Sequence, residues 1–148
     1  MKPLSETYKE LGIAFRFPIE INDANGKPTY YEDSNGYWWR REYDTNGNET
    51  YFEETGDFWK RWEHDADGNV TYHEDSRDYW YRCEYDTNGK ETYYENSEGY
   101  SRRYEYDADG NETYSENSKG DKKVTPRSQS CDDKIIEVDG KKYKLTAL

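Results

Sequence analysis

The sequence is poor in aliphatic side chains and contains no long hydrophobic run. Apolar residues make up 31% of its 148 residues, and aromatic residues alone make up 18%. Between Asn22 and Gly120 the only Leu, Ile, Val or Met is Val70. A core of packed aliphatic side chains is therefore excluded in this segment, and with it a helical bundle or a Rossmann-type sheet.

Segments that would enter or cross a membrane are missing too. No run of about 18 apolar residues occurs, and residues 1–6 lack the hydrophobic stretch of a signal peptide. Cysteine is also scarce, since Cys83 and Cys131 are the only two and lie far apart, without the spacing of metal ligands. We therefore predict a cytoplasmic protein with two free thiols, no metal and no membrane contact.

The charge is strongly one-sided. The chain has 33 acidic and 21 basic side chains, a net charge of -12 at pH 7 and a mean hydropathy of -1.50. Such values are typical of disordered chains, but those are poor in aromatic residues and this chain is rich in them. Residues 20–120 contain 26 acidic and 11 basic side chains, a net charge of -15. We predict a folded protein with an acidic central region.

A repeat of 21 residues fills the central region. Thr, Tyr and Glu recur at this period, beginning at Thr29, Tyr30 and Glu32. Aspartate also recurs, and each aspartate is followed three residues later by glycine: Asp23, Asp44, Asp65, Asp86 and Asp107. A further column is arginine, and each arginine is followed two residues later by glutamate: Arg40, Arg61, Arg82 and Arg103.

Each unit contains two turn signals. The first is Asn-Gly or Asp-Gly, as in Asn46-Gly47, which favours a two-residue type I′ hairpin. The second is looser, as in Ser34-Asn35-Gly36. Between them lie short runs rich in Thr, Tyr and Trp, which favour strands. We predict an all-β fold: a single-layer antiparallel β-meander, or ribbon, of five 21-residue hairpin repeats with capping ends.

The first turn also predicts a strand register. With Asn46-Gly47 as a two-residue loop, Arg40 lies opposite Glu53, and Tyr43 lies opposite Thr50. Opposite charges then meet across every hairpin, because the same pairing recurs one repeat later. Both faces of the sheet carry arginines and aromatic rings, so we expect arginine stems and rings to bury one another.

The motif Tyr-Asp-x-x-Gly-Asn, at residues 43–48 and 106–111, resembles the YD repeats of Rhs and teneurin proteins. This resemblance covers the repeat region and implies a β-sheet ribbon. In the largest members of that family such ribbons form shells around toxin domains. Five units are too few to enclose anything, so the resemblance does not imply encapsulation here. A short acidic array between small ends is also similar to small proteins of phages and prophages.

The two ends differ from the array, which spans residues 22–120. Residues 1–21 predict an N-terminal cap strand. Residues 121–133 have the polar composition of a linker, and residues 134–148 predict a C-terminal hairpin with Asp139-Gly140 as its turn. The cap strand is predicted from four apolar residues that alternate toward Pro18: Leu11, Ile13, Phe15 and Phe17.

No residue pattern indicates catalysis or a cofactor. His64 and His73 occupy columns that hold Tyr or Phe elsewhere, so they are explained as ring-for-ring substitutions. The run beginning at Asp65 is similar to part of a calcium loop, but Ser76 stands where the bidentate glutamate would be. Carboxylates that recur at a fixed period indicate a repeated structural role. We predict a protein that is not an enzyme and binds no cofactor.

Binding functions remain. The first hypothesis is an acidic protein-binding module, such as a phage-type inhibitor or DNA mimic, that binds a basic nucleic-acid-binding host protein and not nucleic acid itself. The alternatives are an aromatic-lined glycan or cell-wall binding module, and a structural spacer or self-associating ribbon; the acidity could also serve solubility alone. For the first hypothesis we predict these partner-binding residues: Asp44, Asp65, Asp86, Asp107, Glu42, Glu63, Glu84, Glu105, Tyr43 and Tyr85.

Overall fold

The computed structural model of the protein describes residues 2–9, 11–125 and 135–144. It confirms the all-β, single-layer antiparallel meander, because each strand of the main sheet pairs with its neighbours in sequence. The eleven strands of this sheet are β1 (Ile19–Asn22), β2 (Pro28–Glu32), β3 (Trp38–Tyr43), β4 (Glu49–Glu54), β5 (Phe58–His64), β6 (Val70–Asp75), β7 (Trp80–Tyr85), β8 (Glu91–Asn96), β9 (Ser101–Tyr106), β10 (Glu112–Asn117) and β11 (Lys122–Val124).

The strand register agrees with the prediction over most of each hairpin and departs from it next to the turn. Arg40 lies opposite Glu53, as predicted, but Tyr43 lies opposite Glu49 and not opposite Thr50. Thr50 is the extra residue of a β-bulge. The threonine column supplies this extra residue in all five units: Thr29, Thr50, Thr71, Thr92 and Thr113.

The first turn is a three-residue loop and not the predicted two-residue type I′ turn. Asp44 N–H donates to the Asn48 carbonyl at 2.9 Å, and Gly47 N–H donates to the Asp44 carbonyl at 3.0 Å. Within the loop only Gly47 has a positive φ, at 87°. This geometry is a type I turn followed by a glycine in the left-handed region. The loop is one residue longer than predicted, and the bulge at Thr50 shifts the register back by one residue. The Arg40–Glu53 pairing is therefore the predicted one.

The sheet has two different faces. The face with Trp38 and Arg40, here called the arginine face, repeats Trp, Arg and Glu on one strand and Tyr and Glu on the next. The opposite face, with Trp39 and Arg41, is here called the aromatic face. Few side chains are fully buried, as expected of a single layer; the buried apolar ones are Tyr30, Trp38 and Cys83.

The N-terminal segment contains a helix where the sequence predicted a strand. Helix α1 spans Leu4–Lys9, and no strand is assigned from residue 11 to residue 17. Leu11 stays 69% exposed, so the apolar alternation does not pack against the sheet. The first edge strand is β1, farther along the chain.

The helix is held by the first repeat unit, which has Ile19 opposite Glu32 where later units place an arginine. Glu32 is only 1% exposed. Its carboxylate accepts hydrogen bonds from the N–H of Ser5 at 3.1 Å, from the Ser5 hydroxyl and from the Tyr30 hydroxyl. Backbone and hydroxyl donors of α1 therefore replace the missing guanidinium.

The C-terminal part contains one strand within the predicted linker and a hairpin after it. β11 lies inside the predicted linker and pairs with β10, so the main sheet extends further than the sequence indicated. β12 (Ile135–Val138) and β13 (Lys141–Lys144) form a separate hairpin. Its turn residues Asp139 and Gly140 both have positive φ, at 51° and 75°, as a type I′ turn requires. Lys134, Leu145 and Cys131 lie outside the described residues.

Candidate functional site

The hairpin loops lie at the two ends of the strands, and the two borders of the sheet that they form are called edges below. Successive antiparallel hairpins place one set of loops, which follow β1, β3, β5, β7 and β9, along a single edge. We call it the aspartate edge, because each of its loops begins with an aspartate: Asp23, Asp44, Asp65, Asp86 and Asp107. The loops that follow the even-numbered strands form the other edge, here called the variable edge.

The aspartates of the aspartate edge act as caps of their own loops. Asp44 Oδ1 accepts the N–H of Asn46 at 2.9 Å and the N–H of Asn48 at 2.8 Å, while Oδ2 accepts the Asn48 side-chain amide at 3.0 Å. These bonds form an Asx turn. They also lower the pKa of Asp44, with the side-chain amide of Asn48 as the largest cause.

The same shift recurs in the next units. The Asn69 side-chain amide lowers the pKa of Asp65. Backbone N–H groups are the largest cause for Asp86 and Asp107, whose pKa is also lowered. The structure thus brings the four predicted aspartates to one edge, and it uses their oxygens to close the loops.

The two predicted tyrosines tie neighbouring hairpins together. The Tyr43 hydroxyl donates to the Pro28 carbonyl at 3.1 Å, and the Tyr85 hydroxyl donates to the Val70 carbonyl at 3.0 Å. Burial raises the pKa of Tyr85. In the same column, His64 cannot supply a phenol, and its buried Nδ1 has no hydrogen-bond partner.

The predicted glutamates lie in a row on the arginine face, close to the aspartate edge. This glutamate row consists of Glu42, Glu63, Glu84 and Glu105, all exposed. Glu42 forms an ion pair with Arg40 at 3.3 Å. The other three form no ion pair with any residue in the described part of the chain. Neighbouring members lie two strands apart, roughly 9.5 Å.

The other glutamates of the arginine face are bonded within the sheet. Glu74 forms an ion pair with Arg61 at 2.9 Å and accepts a hydrogen bond from the Tyr72 hydroxyl at 2.8 Å. The Arg61 guanidinium lies 5.9 Å from the Tyr72 ring. The predicted contact between arginines and aromatic rings is present, while the Arg61 side chain stays 50% exposed. The cluster recurs at Arg40 with Glu53 and at Arg82 with Glu95.

The aromatic face carries a chain of ring contacts across neighbouring strands. The His73 ring centroid lies 5.3 Å from that of Trp62 and 5.0 Å from that of Tyr81, and Tyr81 stacks on Tyr94 at 5.8 Å. Burial lowers the pKa of His73. Its ring contacts agree with a ring-for-ring substitution. Within the described residues no group of His, Cys, Asp and Glu could hold a metal ion.

The variable edge contains two equivalent hollows that were not predicted from the sequence. We call them the tryptophan hollows; their cavity volumes are about 160 and 330 Å³. The first is lined by Trp38, Glu53, Glu54, Asp57, Phe58 and Trp59. The second is lined by the residues one repeat later: Trp59, Glu74, Asp75, Asp78, Tyr79 and Trp80.

One signal in the sequence could have indicated the hollows. At the left-handed position of the variable-edge loops, the units carry Gly36, Asp57, Asp78, Gly99 and Gly120 in order. Asp57 and Asp78 have φ values of 61° and 63°, where glycine is the ordinary residue. The departure from the repeat coincides with the two hollows.

The fold and its surfaces define a single-layer repeat module. No protein-family model and no curated protein sequence matches the chain. Solved structures do match, among them the Photorhabdus luminescens Tc holotoxin pore, with a TM-score of 0.51 and 18% identity over 80% of this chain. The crystal structure of TcdB2-TccC3 has a TM-score of 0.51 and 19% identity over 80% of this chain.

These similarities concern the fold. They agree with the YD and Rhs-like repeat predicted from the sequence. The chain spans only 6% of each of these toxin chains. In the described residues no helix is long and apolar enough to cross a membrane.

Proposed function

We propose that the sheet is a non-catalytic protein-binding module that binds a basic protein through the glutamate row. The observation that carries this proposal is the different state of the carboxylates on the arginine face. Glu63, Glu84 and Glu105 are exposed and form no ion pair with another described residue, whereas carboxylates such as Glu74 and Glu95 are bonded to arginine and tyrosine. On the arginine face, the glutamate row is therefore the set of carboxylates that a partner can bind without breaking an existing contact.

The charge of the array supports a basic partner. Residues 20–120 carry a net charge of -15, which attracts positively charged surfaces and repels nucleic acid. A row of carboxylates at a regular spacing of roughly 9.5 Å is suited to a row of lysines or arginines on the partner. More specifically, we propose that the module occupies the nucleic-acid-binding surface of its partner, as a phage-type inhibitor or DNA mimic does. We place this function in the cytoplasm, where the buried thiol of Cys83 stays reduced.

The proposal is tested by capture and competition. The immobilised protein is incubated with heparin-binding proteins from a bacterial lysate, and bound proteins are eluted with increasing salt. We expect at least one basic nucleic-acid-binding protein to be retained and to elute as salt screens the charges. Fluorescence anisotropy with a labelled DNA duplex then measures whether the module displaces that protein from DNA. A retained protein that binds DNA equally well with and without the module would contradict the DNA-mimic form.

Matched variants test whether the glutamate row binds the partner. Replacing Glu63, Glu84 and Glu105 by Gln should weaken partner binding about tenfold, because three exposed ion pairs of modest strength are lost. The control triple variant replaces exposed carboxylates elsewhere and has the same net charge: Glu20→Gln, Glu98→Gln and Glu137→Gln. Equal weakening by both variants would mean that only net charge matters, and the glutamate row would not be a binding site.

A further inference from the structure

We propose that the two tryptophan hollows bind two basic side chains of one peptide, an arginine or lysine in each hollow, with the residues spaced three apart. This site lies on the variable edge, away from the glutamate row, and it does not depend on the proposed function of that row. The hollows recur at equivalent positions of two successive repeats.

The lining of each hollow suits a cation. The first is lined by the acidic residues Glu53 and Asp57 and by Trp38 and Trp59. Glu54 also borders it, but its side chain lies on the aromatic face, where its carboxylate accepts the Tyr37 hydroxyl. No lysine, arginine or histidine is part of either lining. A guanidinium or ammonium group between indole rings gains cation–π contact, and the nearby carboxylates add charge attraction.

The protein itself provides examples of the contact that the hollows offer. The Arg41 guanidinium lies 4.7 Å from the Trp39 ring on the aromatic face. On the variable edge, the guanidinium of Arg77 lies 5.0 Å from the Phe58 ring, and the ammonium of Lys119 lies 5.6 Å from the Tyr100 ring. Aromatic rings of this sheet are therefore readily covered by cations, whereas the space between the tryptophans of the arginine face is left open.

Asp57 and Asp78 add an independent argument. They are the array's only residues other than glycine, among those described, that adopt a positive φ. Glycine would adopt this conformation without a steric cost from Cβ, as Gly99 does at the equivalent position. The chain has aspartate in the two loops that line hollows, so each hollow receives an additional carboxylate at the variable edge.

The geometry specifies the spacing of the ligand. The hollows are one repeat apart and thus two strands apart, which is roughly 9.5 Å. In a polyproline II helix, residues three apart lie on the same side, separated by about 9.3 Å. An Arg-x-x-Arg segment in this conformation therefore presents one guanidinium to each hollow, whereas adjacent arginines do not.

The experiment uses the full chain and synthetic peptides. Titration calorimetry measures the binding of Gly-Arg-Pro-Pro-Arg-Gly, of a peptide with adjacent arginines, and of the first peptide with citrulline in place of both arginines. We expect the first peptide to bind about tenfold more tightly than the second, and the neutral citrulline peptide to bind more weakly still. Equal affinity for the two arginine peptides, equal affinity for the citrulline peptide, or no binding of any peptide would overturn the proposal.

A paired variant locates the site. Asp57→Gly together with Asp78→Gly removes two carboxylates and introduces the residue that other units carry, so the loops remain intact. We expect about tenfold weaker binding of the Arg-x-x-Arg peptide. The control is Asp67→Asn with Asp109→Asn on the aspartate edge, where other units carry Asn46 and Asn88; it should leave the affinity within about twofold. If both pairs weaken binding equally, the peptide does not bind in the hollows.

The variants also separate this proposal from the function of the glutamate row. The triple variant of Glu63, Glu84 and Glu105 should bind the peptide like the wild type, because the row lies near the opposite edge. Loss of peptide binding in this triple variant would overturn the assignment to the hollows. Failure to capture a basic protein through the glutamate row would leave the peptide result unaffected.

Discussion

The two edges of the sheet differ in how strictly they repeat. On the aspartate edge every loop begins with aspartate and has glycine three residues later. On the variable edge the corresponding first residues are Asp33, Glu54, Asp75, Asn96 and Asn117, and the left-handed position holds either glycine or aspartate. On both edges the first loop residue accepts backbone N–H groups of its own loop, as Asp44 and Asp75 do, but the two tryptophan hollows lie on the variable edge.

This difference shows how a repeat should be interpreted. A side chain that occurs in every unit performs a task that every unit shares, such as closing a loop or holding a register. The aspartates were predicted as partner-binding residues because they place excess negative charge along one edge, yet their recurrence is what a structural role requires. Their contribution to partner binding stays a prediction. Departures from the repeat, such as Asp57 and Asp78, are better indicators of a local function.

The largest effect is expected from removing the caps of the aspartate edge. Replacing Asp44, Asp65, Asp86 and Asp107 together by Ala removes the acceptors for two backbone N–H groups in each loop. We expect the melting temperature to fall by on the order of 10 °C in a thermal unfolding experiment followed by circular dichroism.

The fourfold Asn variant of the same positions is the control. An asparagine Oδ1 can cap such a loop, as Asn96 does on the variable edge by accepting the N–H of Glu98 and the N–H of Tyr100, both at 3.1 Å. We expect this variant to lose only a few degrees. Equal losses in the Ala and Asn variants would show that the caps do not stabilise the edge. The Asn variant also removes four charges, so its partner binding tests whether these aspartates contribute to the interface.

Acid should act mainly through the aspartate edge. The pKa values of Asp44, Asp65, Asp86 and Asp107 are lowered in the folded state. Their stabilising contribution is present above the unfolded value of about 3.9, and it is lost as the pH falls through the folded values. We expect the melting temperature of the wild type to drop more steeply below about pH 4 than that of the Asn variant. Parallel curves for the two proteins would contradict this assignment.

A smaller effect is expected in the strands between the two edges. Arg61 lies opposite Glu74 in the predicted register, and both side chains are partly exposed. Arg61→Glu places like charges opposite each other, and adding Glu74→Arg should restore part of the stability. A double-mutant cycle should give a coupling of about 0.5–1 kcal/mol, because exposed ion pairs are weak. No coupling would mean that the pair contributes nothing to the register.

Much of the fold could be predicted because the relevant signals are local and recur five times. The period, the two turns per unit and the Arg40–Glu53 register follow from residue spacing and charge pairing. The predicted type of the first turn was wrong. Asp44 accepts hydrogen bonds from the N–H groups of Asn46 and Asn48, and these bonds favour a longer loop. The turn at Asp139-Gly140 has Glu137 in the place of the capping aspartate, and it adopts the predicted type I′ geometry.

The ends and the hollows were harder to predict, because their signals are not repeated. Helix α1 donates to Glu32, which lies opposite Ile19 where later units have an arginine, and this relation depends on the strand pairing rather than on local sequence. The strand β11 continues the ladder with a polar segment that resembles a linker in composition. The hollows depend on the distance between tryptophans two strands apart, and only the substitution of glycine by aspartate at two positions points to them.

The smallest effect is expected from exchanging the residues that distinguish the loops of the variable edge. Asp78 and Gly99 occupy equivalent positions, and their N–H groups donate to Asp75 and Asn96 at 3.2 and 3.1 Å. Asp78→Gly relieves the steric strain of a Cβ at a left-handed residue, which stabilises the folded state. It also increases the conformational entropy of the unfolded chain, which destabilises the folded state, and the two effects largely cancel. We expect a change in unfolding free energy within about 1 kcal/mol, with no loss of the β-sheet spectrum.

The reverse exchange, Gly99→Asp, sharpens the comparison. A Cβ added at Gly99 meets no atom within 4 Å, so its cost is confined to the positive φ of 78°. Chemical denaturation should show a loss of about 0.5–1 kcal/mol. The asymmetry matters, because a chain selected only for stability would carry glycine in all these loops. If Asp78→Gly destabilises the protein by more than Gly99→Asp does, the aspartate stabilises its loop, and the argument that it serves a ligand loses its basis.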